Sequence, residues 1–108
     1  MKRTSIKVCG VNVPVRVGNV KDCPDLADCY AFYDNVKIQI WVSDTTPPAS
    51  RDFWVTHEAL HALLDLSGAL SLTQASLGVS EDDPRIEAWE EALVRILTPN
   101  ILDLFGAP

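Results

Sequence analysis

The chain has 108 residues, a length that suits one domain and leaves little room for a second. Its 47% hydrophobic content sets it apart from disordered chains, which lack the apolar surface to form a core. A net charge of −6, with an isoelectric point near 4.6, argues against nucleic acid as a bulk partner, because phosphate binding needs a surplus of Lys and Arg.

No apolar run approaches the roughly 20 residues needed to span a membrane. The start, Met1-Lys2-Arg3-Thr4, is charged, but no secretory apolar run follows it. The sequence therefore predicts a soluble cytoplasmic protein with a solvated N-terminus and no membrane partner. Cys9, Cys23 and Cys29 form no CxxC pair and are odd in number, which fits reduced thiols better than a disulfide framework. Cys9 sits in a strand-like stretch and is expected to be a small buried hydrophobe.

In chain order, residues 4–9 and 11–17 alternate apolar and polar side chains, the period of a half-buried strand. A turn at Gly10-Val11-Asn12 would join them as a hairpin, and Pro14 belongs at an edge or bulge. Residues 18–28 read as a loop and 29–34 as a strand. Asp34-Asn35 supplies a turn, and 36–42 forms the clearest strand. Ser43 to Ser50 is a punctuated loop. A helix then runs to about Ser67, capped by Ser50 or Thr46 and stopped by Gly68. A helical turn is expected at 71–77. The last long helix spans about 84–98, broken at Thr98-Pro99-Asn100, with a short turn over 99–105. Strands first and helices after predict an α+β fold rather than alternating units.

The helix over 50–67 carries His57-Glu58-Ala59-Leu60-His61, an HExxH pattern. Residues four apart stack on one helix face, so both imidazoles can point at one ion. Glu58 cannot reach the same coordination position, but it can take a proton from a water on the metal. These are the only two histidines in the chain. Imidazole with carboxylate chemistry predicts Zn2+ as the ion. A third ligand must come from a carboxylate on the last helix, where Glu87, Glu90 and Glu91 are candidates. Glu87 is favoured, with Glu91 as a partner for a histidine ring; periodicity alone does not separate the three.

The segment Arg51-Asp52-Phe53-Trp54-Val55-Thr56-His57-Glu58-Ala59-Leu60-His61, followed by Glu87-Ala88 through Ala92 to Leu97-Thr98-Pro99, resembles the smallest gluzincin-type metallopeptidases, the minigluzincins. It is also similar to ImmA/IrrE-type peptidases and to short zincin-like proteins encoded by bacteriophages. The motif region covers about half of the chain. The resemblance implies a minimal zincin-like α+β domain over residues 1–108, with a small antiparallel-rich sheet of three to four strands. It implies His57, His61 and Glu87 as zinc ligands and Glu58 as general base, acting on a peptide or protein substrate. Leu60 stands where such families often have glycine, and the interval to the proline is one residue longer.

Other features bear on substrate. The strand over 36–42 is a candidate to accept an extended peptide as an added strand. Tyr30 and Tyr33 are candidate oxyanion donors, although packed strand aromatics are the commoner role. Trp41 and Trp54 are expected chiefly in the core, and Asp65 at a solvated helix end one turn past His61. The alternative function is an inactive or self-inhibited interaction protein with a structural metal site, in which Leu97 to Phe105 folds back over the cleft.

Overall fold

The computed structural model describes residues 5–79 and 83–105, with side chains described as far as Pro99. The N-terminal Lys2 and Arg3 lie outside the described residues. Four strands form one mixed sheet: β1 (Ser5–Val8), β2 (Val11–Gly18), β3 (Ala31–Asp34) and β4 (Gln39–Ser43). Three α-helices follow: α1 (Arg51–Leu66), α2 (Ala69–Leu77) and α3 (Pro84–Phe105). The α+β class expected from the strand-then-helix order is the observed one.

The strand order is β1-β2-β4-β3. β1 and β2 pair antiparallel, as do β3 and β4, while β2 and β4 run parallel through Val15↔Ile40 and Val17↔Val42. The β1–β2 turn is Cys9-Gly10, one step earlier than the spacing of turn residues suggests. Both have positive φ (51° and 76°), the requirement of a tight two-residue hairpin turn whose twist matches its strands. Cys9 is consequently an exposed turn residue rather than a buried strand residue. All three cysteines are free thiols, with Cys23 buried.

β4 is shorter at its start than the apolar run from Val36 suggests. Asp34 Oδ1 accepts hydrogen bonds from the backbone N–H groups of Val36 and Lys37 at 2.9 and 3.1 Å, which holds those residues in the turn. β4 is also a central strand, paired on both sides. An added peptide strand on 36–42 is therefore ruled out by geometry, and β3 is the edge instead.

One face of the sheet is apolar because β2 and β4 alternate: Val13 and Val15 with Ile40 and Val42. α1 lies on that face. The helix stripe that meets the sheet is Val55, Ala59, Ala62 and Leu66, not the bulkier Phe53, Leu63 and Leu64. Phe53 and Leu63 are exposed. Two alanines at the contact let the helix backbone approach the sheet closely, which hydrophobicity alone does not register. The adjoining stripe of α1, from Trp54 to Asp65, turns instead toward β3 and α3.

Gly68 ends α1 in the left-handed region, φ 77°. Neither Ser50 nor Thr46 caps α1 through its side chain; the Thr46 hydroxyl donates to the Tyr30 carbonyl at 3.0 Å. α2 is longer than the expected turn. α3 continues through Pro99 to Phe105 as one helix, so this segment extends α3 and does not fold back. Ile86 and Val94 anchor α3 in the interior.

Ile40 is fully buried at the centre of the sheet beneath α1. Ile40→Ala should lower unfolding free energy by about 2–5 kcal/mol through lost transfer energy and a residual cavity. Urea denaturation of the two proteins measures this; a change below about 1 kcal/mol would mean the sheet face is not the core.

Candidate metal centre and cleft

Helix geometry sets the site. His57 and His61 stand one turn apart on α1, with ring centroids 5.1 Å apart. Across from them runs α3: Glu91 meets both histidines and Glu90 meets His61. His57 Nε2 lies 3.2 Å from Glu91 Oε1, and His61 Nε2 lies 3.1 Å from Glu91 Oε2. The Glu91 carboxylate thus faces both Nε2 atoms at once. On its other side, His61 Nδ1–H donates to Glu90 Oε1 at 2.9 Å.

The candidates from the sequence separate at this point. Glu87 is exposed on the rim of the cleft. Glu91 holds the position toward which both rings point, and Glu90 the outer nitrogen of His61. The physical reason is register. The crossing of α1 and α3 brings the 90–91 turn level with the histidines, and Glu87 falls one turn toward the start of α3. Sequence periodicity puts Glu87 and Glu91 on the same face but contains no information on that crossing point.

The ligand-capable atoms of His57, Glu58 and His61 lie within 4.8 Å of one another, a group that could hold a metal ion. Both imidazole Nε2 atoms also face the Glu91 carboxylate, each against a different oxygen at 3.2 and 3.1 Å, so two nitrogens and a carboxylate are the donor types gathered beside Glu58.

Electrostatics sharpen the roles. Burial pushes the His57 pKa down, against the attraction of Glu91. A neutral His57 can donate its Nε2–H to Glu91, which leaves Nδ1 as the buried polar atom without a partner among the described residues. His61 is raised: burial opposes its charge, but the Glu90 hydrogen bond and the charges of Glu58, Glu90 and Glu91 outweigh it.

Glu58 is buried, and that burial raises its pKa to about 7; Glu91 and Glu90 add to the rise, while His61 and a hydrogen bond from the Tyr33 backbone oppose it. A carboxyl poised there can accept and release a proton near neutrality. The Tyr33 contact also shows which side of β3 faces the site: the outer edge of the sheet looks onto α1.

The cleft between β3, α1 and α3 has a volume of about 530 Å³. Trp54 lines it and also packs against the core. Tyr33 lines it too, but its hydroxyl donates to Asp65 Oδ2 at 2.8 Å, so Asp65 is engaged rather than simply solvated. Tyr30 lies against Trp54, centroids 5.4 Å apart, with its side chain half exposed. Cys29 reaches the cleft as well, an approach that no motif in the sequence signals.

No protein-family model, characterised protein or solved structure matches this chain. No helix among the described residues is long and apolar enough to cross a membrane.

In the metal-free protein the buried Glu58 is a source of pH-dependent instability. Its folded pKa, about 7, exceeds the ordinary value of 4.5. The cost is absent below that ordinary value, where the group is protonated folded and unfolded, and grows as pH rises through the folded value. Glu58→Gln, kept in chelator, should gain on the order of 2–3 kcal/mol at pH 8 and nothing near pH 4.5. Equal urea midpoints for the two proteins at pH 8 would contradict a desolvated carboxylate.

Proposed function

We propose that the protein is a zinc-dependent metallopeptidase in which His57, His61 and Glu91 hold the ion and Glu58 is the general base. The observation that carries this reading is the convergence of both Nε2 atoms on one carboxylate at 3.1–3.2 Å. Two imidazoles and a carboxylate leave one position of a four-coordinate zinc open, the composition of a catalytic rather than a structural site. Zinc bound there would supply an acidified water and a polarised substrate carbonyl.

The chain's own residues account for the remaining requirements. Glu58 precedes the second histidine on the same helix and borders the cleft, so it is placed to take a proton from the attacking water and deliver it to the leaving amine. Glu90 fixes the His61 ring by accepting from Nδ1, which presents Nε2 to the ion. His57 has no equivalent anchor among the described residues and relies on packing against Phe53 and Trp54. β3 is the edge strand beside α1 and forms one wall of the cleft, and its Tyr33 backbone N–H is already given to Glu58.

Elemental analysis and peptide mass spectrometry test the assignment together. Wild-type protein should carry one zinc per chain. Glu91→Gln should lose it, and Glu87→Gln should retain it. Glu58→Gln should keep the zinc and lose at least about 100-fold in peptide hydrolysis, the usual scale of a general base. Stoichiometric zinc with no hydrolysis by wild type would favour a binding module with a structural metal site. Undiminished turnover by Glu58→Gln would remove the proposed mechanism.

A further inference from the structure

Tyr33 touches α1 at two places. The first contact comes from its backbone. The Ser43 N–H donates to the Tyr30 carbonyl at 2.8 Å, so Tyr30 and Ser43 face each other as a bonded pair. Bonded residues alternate along an antiparallel ladder, which turns Phe32 toward β4 and leaves the N–H groups of Ala31 and Tyr33 on the outer edge. Both are met from the cleft side. The Cys29 sulfur accepts from Ala31, and the Glu58 carboxylate accepts from Tyr33. The second contact is at the far end of the same residue, where the Tyr33 phenol donates to Asp65 Oδ2 at 2.8 Å. Glu58 and Asp65 lie nearly two full turns apart on α1, so they project from one side of the helix. Tyr33, Glu58 and Asp65 all line the cleft, and the Tyr33 ring between its two contacts packs on the core.

We propose that Tyr33, locked by Asp65, is the positioning residue for the general base: the Asp65–phenol bond pins β3 against α1, and the Tyr33 N–H then holds the Glu58 carboxylate in one direction within the cleft. The role given to Glu58 rests on the metallopeptidase reading, whereas the clamp itself does not. Glu58 is 8% exposed, so little water competes for its oxygens and the donor it meets fixes its direction. Left without that donor, its side chain has several staggered rotamers to choose from. A reacting group misplaced by about 1 Å can lose as much as about 100-fold in rate. The clamp needs both elements, because the donor belongs to the strand and the two acceptors belong to the helix. Asp65 is exposed, where a single hydrogen bond adds little to global stability, so losing it should disturb the site before it disturbs the fold.

The test reads amide hydrogen exchange in the full-length protein held in chelator, and peptide turnover in the zinc-loaded protein. The residue-33 amide points away from β4, so its protection reports the bond to Glu58. The Ile40 amide, in a central strand, reports global opening. Tyr33→Phe, Asp65→Ala and Glu58→Ala should each lower protection at residue 33 by at least about fivefold and leave Ile40 unchanged. Asp65→Asn keeps an oxygen for the phenol and should recover most of that loss. Turnover by the Tyr33 and Asp65 variants should follow the same order. Their kcat should fall about tenfold with KM within about twofold, because a displaced base weakens the transition state and not substrate binding. Unchanged protection at residue 33 in Tyr33→Phe and Asp65→Ala, or equal loss at residue 33 and Ile40, would overturn the clamp. A local loss of protection with kcat unchanged would overturn the positioning role. A local loss in a protein whose wild type cleaves no peptide would uphold the clamp and remove the hydrolytic reading instead.

Discussion

The site depends on one carboxylate crossing between two helices. Glu91 stands against both imidazole Nε2 atoms and so ties α3 to α1 at the level of the histidines. Its geometry is demanding, because two rings one helical turn apart must tilt toward a single point. The cluster sets two histidines against three glutamates; Glu58 is buried, whereas the Glu91 side chain is 40% exposed and has the Arg95 guanidinium 3.6 Å away. The grouping of His57, Glu58 and His61 is one that could hold a metal ion.

The fold supplies what the carboxylate needs on the other side. β2 and β4 present valine and isoleucine to α1 on one sheet face. The alanines of α1 bring the helix down onto that face, which leaves the His57–His61 stripe turned to the gap beside β3. The sheet order makes β3 an edge, so the cleft acquires an edge strand along one wall. The parallel β2–β4 pair is the step that produces this edge, because it moves β4 inward and β3 outward.

Several features were readable from particular residues. His57, Glu58 and His61 share a helix face by spacing alone, and their grouping follows from the pitch of an α-helix. Gly68 stops that helix because only glycine enters the left-handed region without penalty. Features that rest on contacts were not readable. Ala59 and Ala62 look unremarkable in a hydropathy pattern, yet they make the sheet contact while larger neighbours face solvent. Pro99 signals a break, yet α3 passes through it. The Cys9-Gly10 turn needs two positive φ values, and cysteine gives no warning of one.

The sequence by itself determined the local chemistry: which helix bears two imidazoles and a carboxyl on one face, and that the last helix carries three further carboxylates. The tertiary structure alone decided which of those glutamates stands against both imidazoles and which strand forms the wall. Helical periodicity is a property of one element and repeats every turn, so it leaves Glu87 and Glu91 equivalent. Only the register of α3 against α1, set by burial of Ile86 and Val94, distinguishes them. In the same way, alternation marks a strand but carries no record of its neighbours, and pairing order was fixed by the packing of the sheet against α1.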